Sequence, residues 1–167
     1  MLSDKSFTLV EVLTALAILA FSCAGLLLLS INIVILNDTN RNTTIAYNAI
    51  QTKMEEIKNA GFSCVFTSYP SPCTAPVSTC PCGCTSCFCS GDAFDLEGIS
   101  QGKGRIEISE EALNLKKVRI VASFRIQSRN RIIGEDIDLD GILDFGEDAN
   151  TNDQLDSPVE LITLMVK

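Results

Sequence analysis

One apolar segment near the N-terminus, residues 7–36, reads FTLVEVLTALAILAFSCAGLLLLSINIVIL. Its only charged residue is Glu11, and the next charge along the chain is Asp38. A helix that spans a bilayer needs about 20 mostly apolar residues, because each residue rises about 1.5 Å. The segment is therefore predicted to form a transmembrane helix. No Ala-x-Ala site follows it and only six residues precede it, which disfavours a removable secretory signal.

Glu11 lies close to the start of this segment, where a carboxylate is costly. Deep in a membrane the cost is on the order of 2.5–3.5 kcal/mol, so the carboxylate needs a cationic partner. A cut between Ser6 and Phe7 would create an α-amino group one helical turn from Glu11, on the same chain or on a neighbouring copy. The alternative is a glutamate that lipid headgroups solvate at the membrane surface and that has no further role.

The N-terminal motif SFTLVEVL, residues 6–13, resembles the processing and methylation motif of type IV pilins and type II secretion pseudopilins. In that family a prepilin peptidase cuts before the Phe and methylates the new amine, and the Glu guides assembly into a filament. The resemblance implies a leader of residues 1–6, cleavage between Ser6 and Phe7, methylation of Phe7 and an assembly role for Glu11. Ser6 departs from the family, which prefers Gly before the cut, and this bears on how efficiently the chain is processed.

The resemblance also implies a role and a location. The role is that of a structural subunit in a type IV pilus-like or type II secretion filament. Residues 15–19 and 46–57 look more like minor pilins or pseudopilins than like the abundant shaft subunit. The implied partners are prepilin peptidase, other pilin-type subunits and, before assembly, inner-membrane lipid. The chain would cross the inner membrane once, with its C-terminal domain outside the cytoplasm, and then enter a pilus or a periplasmic pseudopilus.

A helical repeat continues beyond the apolar segment. Apolar residues recur at three- and four-residue spacing, and Gly61 follows where a helix C-cap is expected. The simplest prediction is one helix from about Thr8 to about Ala60, and a break at the polar residues 37–40 is the alternative. The repeating residues are Ile45, Ala49, Ile50, Met54 and Ile57.

Alternating apolar residues between Val118 and Ile126 predict a β-strand with one buried face, and residues 105–109 and 159–166 predict further strands. The predicted fold class is therefore α+β: a long N-terminal α-helix, its first half transmembrane, packed on a small antiparallel sheet. The family resemblance implies the same architecture. The predicted segments are a leader (1–6), a transmembrane and assembly helix (7–36), an amphipathic helix half (37–61) and a globular β domain (62–167).

Residues 62–91 contain seven of the eight cysteines together with four prolines, a composition that predicts a loop. Thiols outside the cytoplasm oxidise, which favours disulfides, although an odd number leaves one thiol free, capped or paired between subunits. A metal or cluster site is the alternative, since several thiolates lie close in sequence. Cys23, in the apolar helix, is predicted to be a small buried residue. The disulfide candidates are Cys64, Cys73, Cys80, Cys82, Cys84, Cys87 and Cys89.

An acidic loop is predicted over residues 134–157. Within it, residues 136–147 read DIDLDGILDFGE, with carboxylates at loop positions 1, 3, 5, 9 and 12 and Gly at position 6. This is the EF-hand loop pattern, in which alternate residues of a tight loop converge on one Ca²⁺ ion. The alternative is an acidic loop that is merely solvated. The predicted ligands are Asp136, Asp138, Asp140, the backbone carbonyl of Ile142, Asp144 (directly or through water) and Glu147.

A second, weaker candidate follows directly. It lacks the Gly, and Val159 stands where the last ligand belongs. It would extend the first site or bind an ion of its own more weakly. Its residues are Asp148, Asn150, Asn152 and Asp156.

Charge and composition exclude some functions. Ten of the 21 acidic residues and none of the 13 basic ones lie between residues 132 and 166, and the net charge is −8. Nucleic acid is not expected as a partner, because phosphate binding needs a surplus of Lys and Arg. The chain has no histidine, which removes Ser-His and Cys-His dyads, so no enzyme is predicted. The alternative function is a single-pass surface adhesin or binding module that uses the calcium and cysteine loops.

Overall fold

The computed structural model describes residues 9–67, 86–127 and 130–167. One helix, α1 (Leu9–Ala60), begins the described chain and is 52 residues long. The helix predicted from Thr8 to Ala60 is therefore one element, and no break occurs at residues 37–40. Two threonines bond back into it there: Thr43 Oγ1 donates to the carbonyl of Thr39 (2.9 Å) and Thr44 Oγ1 to that of Asn40 (2.8 Å).

The chain divides into two compact units after Asp38. In the first unit every residue from 9 to 34 is exposed. By length and composition alone, this helix is apolar enough to cross a membrane. The expectation that Cys23 is buried is wrong for the single chain, where Cys23 is exposed and free. The physical reason is that residues 9–34 are not covered by any other described residue.

The second unit contains the C-terminal part of α1 and seven strands. The helix stops at Gly61, which adopts a φ of 85° and donates its amide to the carbonyl of Lys58 at 3.2 Å. Glycine adopts a positive φ without the steric cost that a Cβ would bring, so the chain can leave the helix at this position. The strands are β1 (Val65–Phe66), β2 (Phe88–Cys89), β3 (Ala93–Asp95), β4 (Gly102–Ala112), β5 (Leu115–Ile126), β6 (Arg131–Ile133) and β7 (Glu160–Val166).

Five of these strands form one antiparallel sheet around β5. The strand order is β3-β4-β5-β6, and β7 also pairs with β5. β6 lies opposite residues 124–126 of β5, and β7 lies opposite residues 115–121. β1 and β2 form a separate parallel pair of two residues each. The predicted α+β arrangement, a long N-terminal apolar helix packed on an antiparallel sheet, is confirmed.

The main core lies between α1 and the inner face of the sheet. Helix residues Ala46, Ile50, Met54 and Ile57 are buried against alternate residues of β4, β5 and β7. A fully buried aliphatic side chain contributes about 1.5–3 kcal/mol, so this stripe fixes the helix on the sheet.

The sequence predicts that only one face of β5 is buried, but the structure buries residues on both faces. Arg119, Val121 and Ser123 point away from the main core but are 7%, 0% and 1% exposed. The chain between β6 and β7 covers them: Ser157 Oγ donates to the carbonyl of Ala122 at 2.6 Å, and Arg119 donates to the carbonyl of Leu155 at 3.1 Å. Because this covering segment is more than ten residues away in sequence, the period-two pattern of β5 could not reveal it.

The cysteine-rich segment is structured at both of its described ends. A 3-10 turn (Phe62–Cys64) and β1 begin it, and β2 lies near its end, so the loop prediction is wrong for these short stretches. Cys64, Cys87 and Cys89 are disulfide-bonded. The other four candidates, Cys73, Cys80, Cys82 and Cys84, lie outside the described residues.

Candidate functional site

Two consecutive acidic loops connect β6 to β7. We name residues 136–147 loop I and residues 148–159 loop II. Positions in each loop are numbered from its first residue. Both loops belong to the second unit: loop I contacts the sheet at Ala93 and Arg105, and loop II contacts it at Arg119 and Ala122.

Loop I is closed by its first and last carboxylates, which are also its most buried ones. Asp136 is 1% exposed and accepts hydrogen bonds from the amides of Asp140 (3.2 Å) and Gly141 (2.9 Å). Glu147 is 6% exposed and accepts from the amides of Ile137 (2.7 Å) and Asp144 (3.1 Å). These bonds hold the loop in a tight turn before any ion is considered.

The five predicted carboxylates of loop I come together in two overlapping groups. One oxygen from each of Asp136, Asp138 and Glu147 lies within 4.8 Å of the others, and the same holds for Asp138, Asp140 and Asp144. Asp138 belongs to both groups. The sixth predicted ligand, Ile142, donates its amide to Asp140 Oδ1 at 2.6 Å. A set of hard carboxylate oxygens in this arrangement is suited to Ca²⁺.

The charge of loop I is not balanced by basic side chains. Among the described residues, no Lys or Arg forms an ion pair with its carboxylates. Arg105 bonds to the loop, but it donates Nη1 to the carbonyl of Gly141 at 2.7 Å and not to a carboxylate of the loop. Burial raises the pKa of Asp136 above its usual value, and the charge of Glu147 adds to this rise. A bound divalent cation would relieve both effects.

Gly141 sets the approach of loop I to the sheet. Its φ is 83°, and a Cβ at this position would lie 2.5 Å from the Cβ of Ala93 in β3. Only glycine meets both conditions without strain. The Gly at position 6, expected from sequence for the sharp turn, is therefore also needed for packing.

Loop II repeats the backbone turns of loop I twelve residues later. The position-1 carboxylate of Asp148 accepts from the amides of Asn152 (3.0 Å) and Asp153 (2.9 Å), as Asp136 does from positions 5 and 6 of loop I. Asn150 Oδ1 accepts from the amide of Asn152 (3.1 Å), and Asn152 Oδ1 from that of Gln154 (2.8 Å). The matching bonds in loop I are 3.2 Å and 2.6 Å long.

Backbone angles repeat as well. Position 4 has a positive φ in both loops, 62° at Leu139 and 58° at Thr151. At position 6, Asp153 adopts a φ of 56° where loop I has Gly141. Loop II therefore reaches the same shape without the glycine whose absence weakened its prediction from sequence.

The two loops differ at positions 9 and 12. Asp156, at position 9 of loop II, accepts from Arg119 Nη2 (2.6 Å), Asn150 Nδ2 (2.6 Å) and Asn152 Nδ2 (2.8 Å). The hydrogen bonds from the two asparagines, followed by the charge of Arg119, lower the pKa of Asp156. At position 12, Val159 replaces the glutamate and is buried in the main core.

Arg119 is the site residue that sequence reasoning missed. Arg119 is 7% exposed and also donates to Glu107 (2.7 Å) and Glu160 (3.0 Å). Burial alone would lower its pKa, but Glu107 and Glu160 outweigh burial and raise it. No signal within the strand marked Arg119, because β5 also carries Lys116, Lys117 and Arg125.

The N-terminal motif lies at the other end of the chain. Ser6 and Phe7 are outside the described residues, so the cleavage position has no structural account. Glu11 lies in the first turn of α1 and is exposed. Thr14 Oγ1 donates to its backbone carbonyl at 3.0 Å.

Residues 1–27 match the model described as the prokaryotic N-terminal methylation motif. The chain carries the signature of type IV pilins and pseudopilins. No curated protein and no solved structure matches the chain.

The pilin motif supports a pilin- or pseudopilin-type subunit that prepilin peptidase processes and that assembles with other pilin subunits. Together with the apolar helix, the motif fits a pilin anchored in the inner membrane. Proteins with this pilin motif are structural rather than enzymatic. The match ends at residue 27, so the two acidic loops lie outside it.

Proposed function

We propose that this chain is a minor pilin or pseudopilin of a type IV pilus-like or type II secretion filament. Cleavage before Phe7 releases the leader, and the N-terminal helix then packs into a filament. The observation that carries this proposal is the methylation motif at residues 1–27 leading into a helix that is exposed at every residue from 9 to 34. Such a surface needs lipid or neighbouring helices to cover it.

In this proposal, Glu11 forms an ion pair between neighbouring subunits in the filament. In an apolar surrounding its carboxylate requires a cation, and the N-methylated amine of Phe7 in a neighbouring subunit supplies one. The pair is nearly neutral, so it is tolerated among apolar helices where either charge alone is not. The C-terminal unit then lies outside the cytoplasm, first on the inner membrane and then on the filament.

Incubation of the full-length protein in membrane vesicles with a prepilin peptidase tests the processing step. The proposal expects loss of residues 1–6, and a faster reaction for Ser6→Gly, which restores the family's preferred residue. A matched change at the same position to a large residue, Ser6→Leu, is expected to slow cleavage. Equal rates for all three proteins, or no cleavage, would count against processing at Phe7.

We further propose that loop I binds Ca²⁺ through its five carboxylates and the carbonyl of Ile142, as a structural ion. The support is the convergence of the carboxylates, two of them buried, without a basic partner among the described residues. Loop II, with Asp148, Asn150, Asn152 and Asp156, is the weaker candidate from sequence. We do not include it as an ion site, because Asp156 already accepts hydrogen bonds from both asparagines.

Thermal unfolding of the full-length protein in detergent tests the calcium site. Calcium at a hundred times its Kd stabilises the folded state by about 2.7 kcal/mol, so Tm should rise with calcium and fall back with chelator. Asp140→Asn and Glu147→Gln should each reduce this response. Glu97→Gln, an exposed acid in a turn outside the loops, serves as the control. A response that survives both loop variants would show that the ion binds elsewhere.

Disulfides in the cysteine-rich segment form part of the same proposal. The proposal is supported by the bonding of Cys64, Cys87 and Cys89 and by export, because thiols outside the cytoplasm oxidise. Mass spectrometry of the alkylated, non-reduced protein should therefore find at most two reactive thiols, those of Cys23 and of one unpaired loop cysteine. Reactive Cys64, Cys87 or Cys89 in the exported protein would contradict it and would favour the metal-site alternative.

A binding role is the second candidate function, and one observation favours it. Ile137, Ile142 and Phe145 expose large apolar side chains on loop I, Phe145 completely. Exposed apolar groups of this size often mark contact surfaces. A surface adhesin would retain partners in a pull-down with calcium and release them with chelator, whereas a purely structural subunit would show no such dependence.

A further inference from the structure

Loop II repeats the backbone turns of loop I, but a protein side chain, that of Arg119, supplies its positive charge. We propose that the guanidinium of Arg119 takes the place of a metal ion in loop II, so that loop II closes without metal and loop I alone takes the ion. This inference rests on the proposed calcium site in loop I. It assigns to Arg119 a positioning role and limits the chain to one bound ion.

Arg119 reaches loop II from beneath. It lies on the outer face of β5, is 7% exposed, and donates to two consecutive loop residues: Nη1 to the carbonyl of Leu155 (3.1 Å) and Nη2 to Asp156 Oδ1 (2.6 Å). Its remaining bonds go to Glu107 and Glu160 on the flanking strands. A buried guanidinium with all its contacts filled is a fixed cation, because its planar fork cannot reorient without breaking several bonds.

Asp156 shows why an ion is not needed there. In loop I the equivalent residue, Asp144, belongs to a cluster with Asp138 and Asp140. In loop II, Asp156 Oδ1 is bonded to Arg119, and Asp156 Oδ2 accepts from both asparagine amides, Asn150 at 2.6 Å and Asn152 at 2.8 Å. The carboxylate is therefore satisfied by the protein itself.

The asparagines at positions 3 and 5 complete this arrangement. Each directs its side-chain NH₂ to Asp156 and its side-chain oxygen to a backbone amide of the loop. Aspartates at these positions, as in loop I, could not donate to Asp156 and would add two negative charges. The change from Asp to Asn thus suits a loop whose cation is one guanidinium rather than a divalent ion.

Position 12 is tied to the sheet. In loop I, Glu147 closes the turn through three amides. In loop II, Val159 is 2% exposed and its carbonyl accepts from the amide of Ala122 at 3.0 Å. Loop II therefore ends in a sheet-like bond, and its closure does not require a ligand at this position.

Two measurements on the full-length protein in detergent test the proposal. Calcium titration counts the bound ions, and amide hydrogen exchange follows the turn amides of each loop: Asp140, Gly141 and Ile142 in loop I, and Asn152, Asp153 and Gln154 in loop II. The wild type should bind one ion. In chelator, its loop II amides should stay protected, and calcium should raise protection only in loop I.

Arg119→Met removes the charge and keeps much of the apolar stem. It should lower the protection of the loop II amides by at least about tenfold in chelator, since a charged hydrogen bond is lost, with little change in loop I. Lys117→Met is the matched control, because Lys117 lies two residues away on the same strand and face. If Arg119→Met disturbs the sheet as a whole, Asp156→Asn removes the same ion pair from the loop side and should give the same loss.

The outcomes separate this inference from the calcium site. Two ions bound by the wild type, or loop II protection in Asp156→Asn that equals the control, would overturn the role of Arg119. No bound ion and no effect of calcium on loop I would overturn the calcium site, while a loss of loop II protection in Asp156→Asn would still support Arg119 as its cation.

Discussion

Gly141 joins loop I to the sheet through two separate requirements, a positive φ and the absence of a Cβ next to Ala93. Gly146, five residues later, shares only the first: its φ is 96°, but the space around it is open. The two glycines therefore allow the cost of backbone strain to be separated from the cost of a steric clash within one loop.

Gly141→Ala should lower the free energy of unfolding by about 2–4 kcal/mol, because strain and overpacking add. Gly146→Ala should cost about 1–2 kcal/mol from strain alone. Denaturant unfolding of both variants in excess chelator measures the difference without the ion. Equal costs would show that loop I does not dock on Ala93.

Asp156 makes a pH-dependent contribution. Its bonds to Asn150, Asn152 and Arg119 lower the pKa of the folded state below that of the unfolded chain. A lowered pKa stabilises the folded state above the unfolded value of about 4, and the contribution disappears as the pH falls through the folded pKa. The stability difference between wild type and Asp156→Asn, measured in chelator, should therefore be constant at neutral pH and shrink in acid. A difference that does not change with pH would contradict this.

The sequence predicted those site residues whose positions follow from their spacing within one loop. The positions of the five loop I carboxylates and of Gly141 followed from the loop pattern, and the structure brings those carboxylates together. Arg119 could not be predicted, because its partners Glu107, Asp156 and Glu160 lie 12 to 41 residues away. Only the pairing of β4, β5 and β7 makes them neighbours.

Among the elements, α1 and β5 were predictable because both are long and periodic. The apolar repeat of the helix continues for several turns, and the alternation in β5 covers most of the strand. β1, β2, β3 and β6 have two or three residues each, which is too short for a period to appear. β3 and β6 form beside the longer strands β4 and β5, whereas β1 and β2 pair with each other. Neither condition is contained in a single segment.

Ile50 tests the packing of α1 on the sheet. It is fully buried in the main core, so Ile50→Ala should lower the free energy of unfolding by about 2–5 kcal/mol through lost burial and a cavity. The adjacent Gln51 is exposed, and Gln51→Ala should change stability by less than about 0.5 kcal/mol. Denaturant unfolding compares the two, and similar effects would mean that this helix face does not pack on β5.

In the whole molecule, the motif for processing and the acidic loops lie in separate parts of the chain. Residues 1–27 carry the pilin motif, and the first unit has an apolar helix exposed along residues 9–34. The second unit carries most of the core and both acidic loops. The motif concerns processing and assembly, whereas the loops concern the order of the outer domain, so each proposal can fail without the other.

Cleavage before Phe7 can be tested on the N-terminal peptide of the protein isolated from its native membranes or filaments. Mass spectrometry of that peptide should find a chain that begins at Phe7 and carries one N-terminal methyl group. A chain that still begins at Met1 in assembled filaments, or one cut after the apolar segment, would contradict the account.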